Sequence, residues 1–318
     1  MLAHCHLALW YRRVPQSANY RKLIFLMPND QGPVVQSALL RNELVRLRKD
    51  AGLTQEQVAA DLEWSPSKLI RVEGGRSSIT KVDLDALLAR YGVTSESRRE
   101  QLQTLNRGAR EKAWWDDYRD DISPTSPTYF QYVGFEAGAA FIRQFQSGFL
   151  PGLLQTADYA EAVTVNSVDA VRVAAIVGLR LKRQSELARR DPRPRQYYVV
   201  DEAVIHRHVG IAKDPAIMPD QLRSIADVAE RDELITVRVI PFEAGAHRGL
   251  YGPFTLLEFD GGLPDVLYID AGRGEFASMV VGNDPVSGYR DDFELLLEDA
   301  LTADKSIELI RSVAEEMS

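Results

Sequence analysis

Cysteine is almost absent. Cys5 is the single one among 318 residues, so no intramolecular disulfide can form and stability must come from packed cores. That usage fits a reducing compartment, and a cytoplasmic location is expected. No apolar run approaches the ~20 residues needed to cross a bilayer, so no membrane association is expected. The G-x-x-x-x-G-K-[ST] phosphate loop and the H-E-x-x-H zinc pair are both missing. Positive charge is also short, with 38 Lys and Arg against 46 Asp and Glu and a net charge of -8. Taken alone that balance disfavours a nucleic-acid partner, but DNA binding depends on a local positive face rather than on the sum over the chain.

Hydrophobic residues make up 45% and charged residues 26%, the profile of a globular protein with room for two or three modules. Residues 1–36 look unlike the rest and are expected to be an extension outside the folded units. They hold His4-Cys5-His6, then Arg12 and Arg13 after the first apolar stretch, which is the wrong order for a secretory signal. Translation is expected to start at Met27, leaving residues 1–26 a misassigned start or a disordered tail. Residues 37–112 read as an all-helical domain. Leu40, Leu44 and Leu47 recur at helical spacing up to Gly52; Thr54 with Gln57 makes a capping box; Ser65-Pro66, Thr80 and Ser95 open three more helices, five in all. Residues 113–128 read as a solvated connector, with Asp116, Asp117, Asp120, Asp121, Pro124 and Pro127. Residues 129–318 read as helical at first, including 171–190. Strands then follow at 196–200, 236–240, 254–259 and 266–269, with one closing helix over 291–316. The expected fold class is therefore α+β, an all-α unit followed by a mixed carboxy-terminal domain.

The most informative stretch runs from Leu53 to Gly75. It describes a short helix, a tight turn and a second helix crossing the first, with the small Ala59 at the crossing and Val58, Leu62, Leu69 and Val72 packed between them. The outward face of the second helix then carries Ser67, Lys68 and Arg71, the candidates for contacts to base edges in a major groove. Thr54, Gln55 and Ser65 stand at helix starts, and Arg76 and Lys81 follow the second helix. These five are the candidates for phosphate contacts. From Trp64 to Lys81 four cations face Glu73 alone, a local positive patch in an acidic chain. A plain helical hairpin with solvated lysine and arginine is the competing reading.

From Arg48 through Arg76 the segment resembles the helix-turn-helix of the phage-repressor and xenobiotic-response-element type. The resemblance implies that Gln55 touches phosphate and that Arg48 and Glu73 form a structural ion pair. The family often has glycine where Glu63 stands, so the turn backbone is expected to be tight or strained there.

In the second region, Gly148 to Ala160, Arg180 to Gln184 and Val239 to His247 complete a resemblance to the actinobacterial WhiJ-like regulators, covering about residues 38–316. These pair the helix-turn-helix with a carboxy-terminal domain of unknown function. The resemblance implies a regulator of development or specialised metabolism, often encoded beside a small partner protein and described as antitoxin-like. From the residues themselves, Phe149, Leu150, Pro151, Leu153 and Leu154 either line a binding groove or pack a core around a turn, the second being preferred. Gly245, His247, Gly249 and Gly252 either form a binding loop or connect a hairpin. His206 and His208 would share a face on a strand, but no third metal ligand accompanies them. No metal, cofactor or enzymatic activity is expected. The expectation is a regulator that binds a double-stranded DNA operator as a homodimer on an inverted repeat. Its carboxy-terminal domain would sense a ligand or bind a small partner protein.

Overall fold

The computed structural model describes residues 32–122, 127–165, 168–269 and 278–318. The expectations for a start at Met27 and for His4-Cys5-His6 fall outside the described residues, as does Pro124 of the connector.

Five helices build the first unit: α1 (Gly32–Asp50), α2 (Gln55–Asp61), α3 (Pro66–Glu73), α4 (Lys81–Arg90) and α5 (Glu96–Gly108). The capping box forms as its spacing implies. Thr54 Oγ1 accepts from the Gln57 amide at 3.1 Å, and Gln57 Oε1 accepts from the Thr54 amide at 2.9 Å. Thr80 caps α4 in the same way, accepting from the Asp83 amide at 3.0 Å. Ser65 precedes Pro66 with no side-chain cap bond, so the fixed proline φ sets the start of α3. Leu40, Leu44, Val58, Leu69, Leu84 and Leu102 meet in one buried core.

The extension expected over 1–36 ends sooner, because Gly32–Gln36 are already helix and Val35 is fully buried. The first turns of α1 leave the helical unit. Val35 and Ala38 pack with Trp115, Phe130 and Val133 in the core of the second domain. Gly134 permits this approach, since a Cβ there would fall 2.3 Å from Val34 Cγ2. Within 113–128, Trp114–Tyr118 form a 3₁₀ turn that buries Trp115. Asp116 Oδ2 accepts from the Ala113 amide at 2.9 Å.

The second domain is a six-stranded sheet in the order β3-β2-β1-β4-β5-β6. The strands are β1 (Phe141–Gln146), β2 (Arg195–Asp201), β3 (Ile235–Ile240), β4 (Phe254–Glu258), β5 (Val266–Ile269) and β6 (Ser278–Val281). β1, β2 and β3 are parallel, with Phe141 opposite Arg195 and Gln196 opposite Ile235; β4, β5 and β6 continue antiparallel. Parallel neighbours need long crossovers. These are supplied by α7 (Ala157–Thr164) and α8 (Ala170–Arg189) between β1 and β2, and by α9 (Ile217–Arg231) between β2 and β3, while α6 (Pro127–Glu136) precedes β1. Alternation along each strand divides the apolar side chains between two layers. Tyr198 and Val200 face the layer that contains α6, α8 and α9, and Val199 faces α10 (Asn283–Asp299). The fold is α+β.

Three further expectations change. β1 lies at the centre of the sheet although its region reads as helical. Its polar Arg143 is buried between the Tyr197 and Phe293 rings with Glu258 and Glu294 as ion-pair partners at 3.3 and 3.0 Å, which breaks the apolar alternation a strand would show. The single closing helix is two, α10 and α11 (Ala303–Glu316). Arg238 takes the Ala300 and Leu301 carbonyls, both at 2.6 Å, and Thr302 caps the restart. Finally, Gly245 to Gly252 do not connect a hairpin, because β3 and β4 are separated by two strands.

Candidate nucleic-acid interface

α3 is amphipathic over only eight residues. Leu69 and Val72 point into the core against Val58 of α2, while Ser67, Ile70 and Arg71 face outward. What holds so short a helix in place is ionic. Arg48 and Glu73 meet fork to fork, Nε to Oε1 at 2.7 Å and Nη2 to Oε2 at 2.9 Å, with side chains only 12% and 5% exposed. Arg48 Nη1 also donates to the Leu53 carbonyl at 2.9 Å, and Gln55 Nε2 donates to Glu73 Oε2 at 2.7 Å. The end of α3 is thereby fastened to α1 and to the start of α2. The hydrogen bond to Glu73 raises the Arg48 pKa above its ordinary value. Beside this pair the Tyr91 hydroxyl is buried without a hydrogen-bond partner among the described residues, and burial pushes its pKa up.

The turn between α2 and α3 has a specific geometry. Trp64 N donates to the Ala59 carbonyl at 2.8 Å and Glu63 N to the Ala60 carbonyl at 3.2 Å, with Glu63 at φ +56°. This is a Schellman ending. α1, α3 and α4 end alike, with Gly52, Gly75 and Gly92 in the left-handed position. Glu63 therefore stands where glycine is the unstrained choice, as the family resemblance implies.

The positions singled out from sequence separate into two groups. Arg71, Arg76 and Lys81 are exposed and have no ion pair among the described residues. Ser67 is exposed beside Ser65, the hydroxyl oxygens 3.2 Å apart. Thr54 is exposed, its hydroxyl oxygen accepting the α2 cap bond. Gln55 is half-buried and engaged by Glu73. Lys68 turns away from the outward face: its ammonium pairs with Asp83 Oδ1 at 2.9 Å and lies 3.8 Å above the centre of the Trp64 ring. Asp83 lies 15 residues on, so no local pattern announces the contact. Ile70, which the sequence reading did not single out, is also exposed on the outward face of α3. The signal for it was present, because it stands three residues after Ser67 on a helix and so shares that residue's face.

In the second domain, Leu150, Leu153 and Leu154 are buried, so that segment is core, with Phe149 alone turned outward. His247 is buried, its Nε2 3.1 Å from Asp201 Oδ2 and its Nδ1 accepting from the Gly249 amide at 3.2 Å. His206 lies in a helical turn rather than on a strand, 3.2 Å from Glu202, and stacks on Phe242. Arg183 and Glu136 form a buried pair at 2.6 Å, joined by the Tyr132 hydroxyl, which donates to Glu136 Oε2 at 2.5 Å. Arg183 and Glu136 form part of the wall of a cavity of about 210 Å³ where the first turns of α1 and the connector meet the second domain, which Gly32, Gln36, Trp114 and Leu187 also line. Among the described residues no cluster of three metal-ligating side chains is present, and no helix is long and apolar enough to cross a membrane.

Two family models match the chain. One, described as a domain of unknown function (DUF5753), matches residues 129–312, and the other, described as a helix-turn-helix domain, matches residues 39–102. No curated protein and no solved structure matches it.

Proposed function

The chain belongs to the DUF5753 family, and from the helix-turn-helix domain that precedes this family's domain we propose that it is a DNA-binding transcription regulator of the xenobiotic-response-element type, working in the cytoplasm. The observation that carries the reading is the surface of α3. A helix held from behind by Arg48 and Glu73 projects Ser67 and Arg71, and Arg71, Arg76 and Lys81, on and after it, have no ion pair among the described residues. Ser67 and Arg71 read base edges; Arg76 and Lys81, with the exposed starts of α2 and α3 at Thr54 and Ser65, hold phosphates. Two copies bind an inverted repeat, one α3 in each of two successive major grooves. The reading includes no catalytic step, cofactor or metal.

Regulation enters through the second domain. The cavity between α1 and that domain supports a ligand input, because a small molecule bound there touches both. The test is a gel shift with the DNA upstream of the chain's own gene, against random competitor at two salt concentrations. Competitor-resistant binding that weakens with salt supports the regulator; binding fully lost to competitor overturns it for that DNA.

A second reading, an antitoxin-like module in the manner of the WhiJ-like regulators, is favoured by one observation. Phe149, Phe242, Leu250 and Tyr251 are all exposed and all lie where β1 and β3 finish and β4 begins, at one end of the sheet. Such a surface suits a small apolar-faced partner protein, with DNA binding serving autoregulation. Failure of the chain to bind any small protein encoded near its gene argues against it.

A further inference from the structure

We infer that Ile70 is a specificity-determining residue, reading the 5-methyl group of a thymine in each operator half-site. The inference rests on the proposed DNA-binding function and extends it to one chemical feature of the DNA. Single exposed apolar side chains are ordinary on protein surfaces. Ile70 is set apart by where it stands. It is 45% exposed at the middle of α3, beside Arg71 and one turn after Ser67, on the face that the core residues Leu69 and Val72 turn away from. Lys68, the neighbour that could have covered it with a flexible charged chain, is held off by Asp83 and Trp64. The face presented to a groove is thus a hydroxyl, a branched hydrocarbon and a guanidinium.

Each of these has a counterpart in the major groove. The thymine methyl is the apolar group there, and guanine offers the paired acceptors that an arginine takes. A β-branched side chain on a helix has essentially one χ1 rotamer, so Ile70 meets a methyl group with little freedom to lose. Adjacent positions on a helix differ by about 1.5 Å along its axis. The thymine that Ile70 touches is expected in the same half-site as the guanine that Arg71 reads.

The experiment uses the full chain and a duplex recovered by selection from random double-stranded DNA. Each thymine of that duplex is replaced in turn by deoxyuridine, which removes the methyl group alone. The expected result is a loss of about fourfold in affinity at one thymine per half-site, the effect of taking roughly one methyl's worth of apolar contact away. Ile70→Ala is expected to bind the thymine and uracil duplexes equally, and Ile70→Val to keep the preference. Because Ile70 is half-exposed, the variants are expected to unfold at the same temperature as the parent, which is measured alongside. Binding that is insensitive to every uracil replacement, or full methyl dependence retained by Ile70→Ala, overturns the inference and leaves the regulator reading standing. Failure to select any specific duplex overturns both.

Discussion

Lys68 reaches from α3 to Asp83 on α4, ammonium to carboxylate at 2.9 Å, with the Trp64 ring beneath it. A charge that sequence places on the outward face of α3 is thereby turned into a brace between two helices. The contact is part-exposed, so its contribution to stability is modest. Its consequence for binding is larger. Asp83→Asn leaves the ammonium without its counter-charge, and the variant is expected to bind any duplex more tightly, with a salt dependence steeper by about one unit. Lys68→Met is expected to leave specific affinity within about twofold, a limit drawn from the weak worth of such contacts. Titrations at several salt concentrations measure both. A Lys68→Met loss confined to the specific duplex would return Lys68 to the base contacts.

Arg71 and Arg76 differ in position and should differ in effect. Arg71→Ala is expected to weaken binding to the specific duplex about 10- to 100-fold while changing random DNA far less, as loss of a bidentate guanine contact does. Arg76→Ala is expected to weaken both alike and to flatten the salt slope by about one. Equal losses for Arg71→Ala on the two duplexes would make Arg71 a phosphate contact.

Glu63 at φ +56° carries a strain that its counterparts Gly52, Gly75 and Gly92 do not. A left-handed non-glycine residue costs about 1–2 kcal/mol. Glycine's extra freedom in the unfolded chain returns about 0.5–1 kcal/mol of that. Glu63→Gly is therefore expected to stabilise the helical unit by up to about 1.5 kcal/mol net, read as a higher denaturant midpoint at unchanged slope. A lower midpoint would mean that the glutamate side chain makes a compensating contact.

Glu43 gives the helical unit an acid limb. Burial pushes its carboxyl up, but hydrogen bonds from Arg46 and Arg98 outweigh burial and hold it below the ordinary value of 4.5. A carboxyl whose folded value is depressed adds stability above the unfolded value, and that stability is lost as pH falls through the folded one. The bridge to Arg98 ties α1 to α5. Thermal midpoints followed from neutral pH down to about pH 3 are expected to fall more steeply for the parent than for Glu43→Gln below about 4.5. Parallel curves would remove Glu43 from the acid response.

The helical unit was legible in the sequence because its signals are local. A Thr-x-x-Gln box, a Ser-Pro start and glycines after the last turn act within a few residues of where they stand, and Arg48 with Glu73 came through a resemblance whose motif spans both. β1 was not legible. Arg143 is accommodated inside the sheet by Glu258 and Glu294, more than 110 positions away, and by the Tyr197 and Phe293 rings. The same distance rule hid Asp83 from Lys68. The split of the closing helix was equally remote, since the group that ends α10 is Arg238 on β3. Ile70 was a different kind of omission. Its helical position was in plain view, three residues after Ser67 on the same face, but it carries neither charge nor a polar group to mark it.

α1 is one uninterrupted rod of 19 residues, about 28 Å long. Its first turns are embedded with Val35 and Trp115 in one domain, and its last turn carries the arginine that clamps Glu73 in the other. A body gripped at both ends transmits torque. A roll of Val35 within its socket is therefore expected to reach Arg48, and through it Glu73 at the end of α3. On the regulator reading proposed above, a small roll at one end of the shaft would change how each α3 meets its half-site.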